Sequence, residues 1–305
     1  MNHPDLWGTE MSEHPVTRIE GKGWRFFAKS SDKMSECKDD TIALTVTSPP
    51  YWNSIDYDLH SKNGDDVWYR QREYSQFGST YEDYLERIDT VFREVWRVTL
   101  PGGFCAIVIG TILQNGDHYP APFHITEKMT SSGWLFHQDI IWNKVTGGVK
   151  RAGSFIQRPN AGYFYPNIMT EYILVFRKEG KKRYDSEAAL PIDDVFTKDI
   201  ANNIWHIAPV PPRTIDHPCP FPDELVRRLV LLYSHESDEV LDPFLGSGQT
   251  ARVALRHNRR IVGYDIEPAY INLSYQRLSE EPVRKFNLVP SFEKVPVDNG
   301  VHVGA

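Results

Sequence analysis

"VLDPFLGSGQTARVALRHNRRIVGYDI", residues 240 to 266, carries the architecture of the chain. A short apolar run ends at Asp242-Pro243-Phe244, Gly246 and Gly248 open a segment with helical apolar spacing, and a β-branched run closes on Asp265. That succession of strand, glycine turn, helix and strand is one unit of a mostly parallel α/β sheet. The glycines let a ligand approach the backbone and reach the N–H groups at the start of the helix. Asp265, 19 residues after Gly246, stands where a carboxylate accepts hydrogen bonds from ribose hydroxyls, which predicts adenosine binding. Spelled G-S-G-Q-T-A, the turn also satisfies the dinucleotide pattern G-x-G-x-x-A and keeps an NAD-dependent oxidoreductase in contention. Two features weigh against it. The unit begins near residue 240 with little chain left for a second nucleotide half, and a carboxylate at Asp242 suits a cationic or amino cofactor better than pyrophosphate.

The same rhythm runs through the rest of the chain. "TIALTV" (41 to 46) reads as a buried strand, and 79 to 99 as an amphipathic helix with Ser79 or Thr80 ahead of Glu82 and Asp83 as its cap signal. "LPGG" is expected to break that helix before a second strand, "FCAIVIG" (104 to 110). A helix over about 121 to 132, strands at "LFHQDIIW" and "EYILVFRK", and a helix at "FPDELVRRLVLLYS" follow, and "PAYINLSYQRLS" closes the series. Helices therefore cover both faces of the sheet. Two stretches, 53 to 78 and 145 to 170, resist assignment, and loops of that length inside a compact domain usually serve function.

With 305 residues the chain can bury a sizeable core without staples. Its three cysteines, odd in number and far apart, point to a reducing compartment. No long apolar run and no signal-peptide pattern occurs, so the expectation is a cytoplasmic protein without membrane attachment. The net charge of −7 is unevenly spread: Lys144 to Arg183 carries nine bases and two acids. A basic region on an acidic body can hold phosphates locally, or can simply be a solvated face.

"TSPPYW" (47 to 52) is an unusual strand end. Two successive prolines remove two donors from any ladder and leave a stiff elbow, followed by aromatics where a plain turn would want glycine or asparagine. At this point the chain resembles the β-class, circularly permuted amino-group DNA methyltransferases that use S-adenosylmethionine (SAM). "TSPPYW" looks like their catalytic motif, "DPFLGSG" like their SAM motif, "VGYDIEPAY" like their ribose-acid motif, and "HPCPFPDELVRRLV" like the segment preceding the SAM motif. "QFGST", "RVTLPGG", "DIIWNK" and "NIWHI" match further, and the similarity spans about 24 to 280.

The resemblance implies a Rossmann-like methyltransferase fold: an α/β, seven-stranded mixed sheet with helices on both faces and a small target-recognition insertion, "EYILVFRK" being the antiparallel strand. It divides the chain into a catalytic half (24–144), a recognition region (145–200, including one sheet strand near 171–178), a SAM-binding half (201–282) and terminal extensions (1–23 and 283–305). It implies that Asp242, Phe244, Gly246, Gly248 and Thr250 line the SAM site, that Asp265 holds the ribose and Ile266 packs on adenine, and that Phe221 and Pro222 lie along the methionine end. Ser48, Pro49, Pro50 and Tyr51 would form the catalytic elbow. Lys150, Arg151, Arg158, Lys181, Lys182 and Trp52 are the candidate DNA contacts. One departure stands out: where members often carry Gly-Asp before the catalytic strand, "AKSSDKM" offers Ser30 and Asp32, and no adenine contact is assigned there.

Serine at the head of the elbow goes mostly with cytosine N4 in this family, and Asp or Asn mostly with adenine N6, which remains the alternative. Duplex DNA is the implied partner, with no metal. A recognition region this short suggests a homodimer, and a restriction endonuclease acting on the same site would complete a restriction-modification pair. Cytosine C5 chemistry at Pro218-Cys219 is disfavoured by its proline-rich approach to a helix, and His217 with Cys219 does not close a zinc site.

Overall fold

The computed structural model describes residues 18–52, 78–114, 117–144, 161–162, 168–183, 200–211, 214–215 and 220–279. Their strands are β1 (Arg18–Gly21), β2 (Trp24–Ala28), β3 (Ile42–Thr47), β4 (Thr99–Ile109), β5 (Ile112–Gln114), β6 (Asp117–Tyr119), β7 (Leu135–Asn143), β8 (Thr170–Arg177), β9 (Ile204–His206), β10 (Glu239–Asp242) and β11 (Arg260–Asp265). The helices are α1 (Tyr81–Val98), α2 (Ala121–Ser131), α3 (Asp223–Tyr233), α4 (Gln249–Arg256) and α5 (Pro268–Ser279).

Among the described residues nine strands form one mixed sheet in the order β1-β2-β11-β10-β3-β4-β8-β7-β9, and β5 and β6 form a separate hairpin. The expected count of seven is exceeded by two short edge strands: β1, antiparallel to β2, and β9, parallel to the end of β7. Residues 18–21, expected to belong to a terminal extension, are thus part of the sheet. As expected, β8 runs antiparallel to both of its neighbours, β4 and β7. The expected catalytic and SAM halves interleave, because β10 and β11 insert between β2 and β3.

All six residues of β3 are buried, as befits a strand flanked by parallel neighbours and covered on both faces. On one face α1 and α2 pack through Tyr84, Ile88, Phe92, Val95 and Ile125 against Cys105, Ile107 and Ile109. On the other, α3, α4 and α5 bring Leu225, Leu229, Val253 and Ile271 against Leu44, Val46, Ala106 and Val108. Thr80 caps α1 by accepting the Asp83 N–H at 3.1 Å, while Asp83 accepts the Ser79 N–H at 2.9 Å.

The sequence "LPGG" ends α1 but does not delay the next strand. β4 starts at Thr99 and absorbs the segment as an irregularity, since Ile42 faces Thr99 and Leu44 already faces Phe104. Gly102 has φ 81, and a Cβ there would lie 2.4 Å from the Lys181 carbonyl oxygen, so only glycine fits the bend.

Candidate active site

β3 delivers the elbow. After Thr47 the chain leaves the sheet through half-buried Ser48, buried Pro49 and half-buried Pro50 to Tyr51. The Tyr51 hydroxyl accepts the Gly110 N–H at 2.9 Å, which fastens the aromatic to the residue just beyond β4. Gly110 has to be small: a Cβ would lie 3.1 Å from Cγ of Glu171 and 3.3 Å from the Tyr51 oxygen. Glu171 of β8 therefore flanks Tyr51, and its carboxylate pairs with Lys144, whose ammonium also lies 4.7 Å from the Trp142 ring centroid. The Ser48 hydroxyl makes no hydrogen bond within the described residues, which leaves it available to a ligand.

Trp52, expected among the DNA contacts, is 9 % exposed and belongs to the core. Its indole N–H donates to the Gly78 carbonyl at 3.2 Å, and its ring meets Tyr119 edge-on at 5.0 Å and Tyr81 at 5.5 Å. The Tyr81 hydroxyl in turn lies 3.0 Å from Nδ1 of His124. The physical reason for the correction is packing: α1 and the β5–β6 hairpin close over the indole, so it braces the elbow from beneath.

The glycine turn is built beside it, at the ends of β10 and β11. Gly246 and Gly248 take φ values of 51 and 74. A Cβ on Gly248 would meet Ser274 Oγ of α5 at 2.8 Å, so this glycine serves close helix packing. Asp265 accepts the Gly246 N–H at 2.8 Å on one carboxylate oxygen and the Glu267 N–H at 2.9 Å on the other. Ile266 beside it is 50 % exposed. Phe221 and Pro222, far away in sequence, reach the turn through Gln249, whose amide donates to the Phe221 carbonyl at 2.9 Å and to Asp223 at 2.9 Å. Pro222 is the N-cap of α3.

Asp242 and Thr250 differ from their expected place along a cofactor. Asp242 is 1 % exposed; one carboxylate oxygen accepts the Thr47 hydroxyl at 2.7 Å and the Phe244 N–H at 3.1 Å, and the other accepts the Thr250 hydroxyl at 2.7 Å. Its side chain points into the protein, between β3 and α4. Burial, partly offset by the two threonine hydroxyls, pushes its pKa up to about 6.

The basic segment divides. Lys144 lies at the edge of the sheet that carries Ser48, whereas the C-terminal end of the antiparallel β8 points to the opposite edge, Arg177 facing Phe104 near the foot of β4. Lys178 there donates to Asp40 and to the Trp96 and Thr99 carbonyls, and Arg183 pairs with Asp238, just before β10. Lys181 and Lys182 follow Lys178 and are exposed on that far edge, so they do not face the elbow. Five residue steps along β8 lead from Tyr172 to Arg177, a span of about 17 Å. Lys150, Arg151, Arg158, His217 and Cys219 lie outside the described residues.

Sequence reasoning passed over Thr47, Gly110, Glu171, Lys144, Gln249 and Ser274. Each acts through a partner distant in sequence, brought in by the neighbours β3 and β10, β4 and β8 or β7 and β8, or by α3 and α5 against the turn. Ser274, for example, donates to the Gly246 carbonyl at 2.9 Å.

The family model for N6/N4 DNA methylases matches residues 42–276. The chain is 31 % identical over 261 residues to the Type II methyltransferase M.MjaI of Methanocaldococcus jannaschii, covering 77 % of this chain and 84 % of that one. A 30 % identity over 278 residues relates it to the Type II methyltransferase M.MthZI of Methanothermobacter thermautotrophicus, covering 84 % and 76 % respectively. Among solved structures, a putative DNA modification methylase from Thermus thermophilus complexed with S-adenosyl-L-methionine superposes with a TM-score of 0.62 at 28 % identity, covering 83 % of this chain and 94 % of that one. The PvuII DNA methyltransferase, described as cytosine-N4-specific, gives a TM-score of 0.63 at 19 % identity, with coverage of 84 % and 86 %, and supports the fold alone. The oxidoreductase alternative gives way to these matches. With its elbow beside its glycine turn, the chain belongs to the N6/N4 DNA methylase family and is a SAM-dependent DNA methyltransferase of the amino-group class.

Proposed function

We propose that this protein methylates cytosine at N4 within a short specific sequence of duplex DNA, after flipping the base from the stack, as the modification half of a restriction-modification pair. The observation that carries this reading is Ser48: a hydroxyl with no bond inside the described protein, at the end of a fully buried strand, beside an anchored tyrosine. The names of the relatives, Type II methyltransferases, support the restriction-modification context.

The amine of a cytosine is a poor nucleophile because its lone pair is delocalised into the ring. The Ser48 side chain and the Pro49 carbonyl are acceptors for its two hydrogens, and holding both favours a pyramidal nitrogen with a localised lone pair. A hydroxyl also donates, which suits the N3 acceptor next to the amine. Tyr51, fixed at both its backbone and its hydroxyl, offers a face for stacking worth about 1–3 kcal/mol, against the few kcal/mol that flipping costs.

The residues at the glycine turn fit SAM: the Asp265 carboxylate, held by two backbone N–H groups at the end of β11, is the ribose acceptor, the exposed Ile266 offers an apolar face to adenine, and Phe221 and Pro222 stand at the other end beside Gln249. Bound there, SAM supplies an electrophilic methyl group. Duplex DNA incubated with the protein and isotope-labelled SAM, then digested to nucleosides, tests the assignment by mass analysis. Labelled N4-methylcytosine is expected. N6-methyladenine in its place would install the alternative base.

A further inference from the structure

We propose that Asp242 is a positioning residue that couples occupancy of the glycine turn to the geometry of the catalytic elbow. The inference rests on the role assigned above to Ser48 and Pro49, but not on which base is methylated. Three hydrogen bonds carry it. Thr250, second residue of α4 and two positions beyond Gly248, donates to one carboxylate oxygen at 2.7 Å. Thr47, the residue immediately before Ser48, donates to the other at 2.7 Å, and the Phe244 N–H joins it at 3.1 Å. The path from the cofactor turn to the bracket is therefore hydroxyl, carboxylate, hydroxyl and one peptide bond.

Packing alone does not call for this arrangement. Thr47 and Thr250 are fully buried, Asp242 is 1 % exposed, and apolar side chains of similar volume would fill the space without desolvating a carboxylate. What a fully satisfied polar network adds is a single allowed geometry. Thr250 ties β3 to α4 a second time, its hydroxyl lying 3.4 Å from the Val46 carbonyl. On the opposite side the turn hangs from Asp265 and Ser274, which hold the Gly246 N–H and carbonyl. A ligand that orders the turn thus pulls on Asp242 through Thr250, and on the elbow through Thr47. The carboxylate has no path of comparable length to any other element carrying a candidate catalytic group among the described residues.

Thr47→Val removes one hydroxyl at nearly constant volume, and Thr47→Ser keeps it. The readouts are SAM affinity by calorimetry and hydrogen exchange of peptides spanning 44–52, with and without SAM, in the full chain. In the wild type, SAM is expected to slow exchange at the Ser48, Tyr51 and Trp52 amides about tenfold. Thr47→Val should bind SAM within about threefold of wild type yet lose that slowing and show about tenfold lower kcat at unchanged KM for SAM, while Thr47→Ser restores both. Thr250→Val, cutting the other end, should also abolish the slowing. The proposal is overturned if the wild-type elbow does not respond to SAM, if Thr47→Val keeps the response, or if Thr47→Val weakens SAM binding more than about tenfold, which would make Thr47 part of the cofactor site. Adenine as the methylated base would sink the functional proposal and leave this exchange result standing.

Discussion

Tyr51 separates two contributions that the elbow combines. Its ring can stack on a base, while its hydroxyl accepts the Gly110 N–H. Tyr51→Phe keeps the ring and orphans that part-buried N–H, for a loss of about 1–2 kcal/mol in stability by denaturant titration with methyl transfer largely retained. Tyr51→Ala should lose the stacking as well, lowering kcat/KM for DNA by about tenfold to a hundredfold beyond the Phe variant. Equal activity in the two variants would remove the stacking role. The placement of Ser48 and Tyr51 beyond a strand end, and of Gly246 and Asp265 at a turn and the next strand end, was legible in the sequence because each sits at a fixed offset from prolines or glycines whose backbone demands are local. The partners Gly110, Glu171 and Thr47 were not: their meaning depends on strand neighbours that no local spacing encodes.

Among the elements, the pair β3 and β10 holds the site together, and its registry passes through the Asp242 carboxylate. Because burial raises that group from its ordinary 3.8 to about 6, its contribution to stability is greatest below pH 3.8 and is lost as pH rises through 6. The charged neighbour that opposes its ionisation is Asp265, at the end of the adjacent β11; Thr47 on β3 and Thr250 on α4 are not titratable. Lowering pH from 7 to 5 should therefore stabilise the wild type by about 1 kcal/mol relative to Asp242→Asn, measured by paired denaturant titrations. An unchanged difference between the two proteins would contradict a buried carboxyl raised to about 6. The helices were readable from apolar period and caps, as in α1 with Thr80. The edge strands β1 and β9 and the hairpin β5–β6 were not, since three or four residues, partly exposed, carry too little periodicity. "LPGG" misled for a specific reason: two glycines that usually end pairing instead supply the bend that lets β4 continue.

Across the whole molecule the sheet has two unlike edges. One gathers Ser48, Tyr51, Lys144, Glu171, the glycine turn and Asp265. The other gathers Lys178, Lys181, Lys182 and Arg183, with Lys178 and Arg183 tied to Asp40 and Asp238. Counting charge along the chain merged these bases into one patch, because an antiparallel strand carries consecutive residues from one edge to the other. Lys181→Glu with Lys182→Glu should leave duplex DNA affinity and its salt dependence unchanged in a titration across ionic strength. A slope reduced by about two would return these lysines to the DNA surface.

The division of labour between elbow and glycine turn is tested most directly by Ser48→Ala. Single-turnover methyl transfer to DNA, measured beside SAM affinity by calorimetry, should fall about 100-fold, equivalent to about 2.7 kcal/mol of transition-state stabilisation, while SAM affinity stays within about threefold of wild type. Methyl transfer within a few-fold of wild type, or a loss of SAM binding that accounts for the defect, would refute that division.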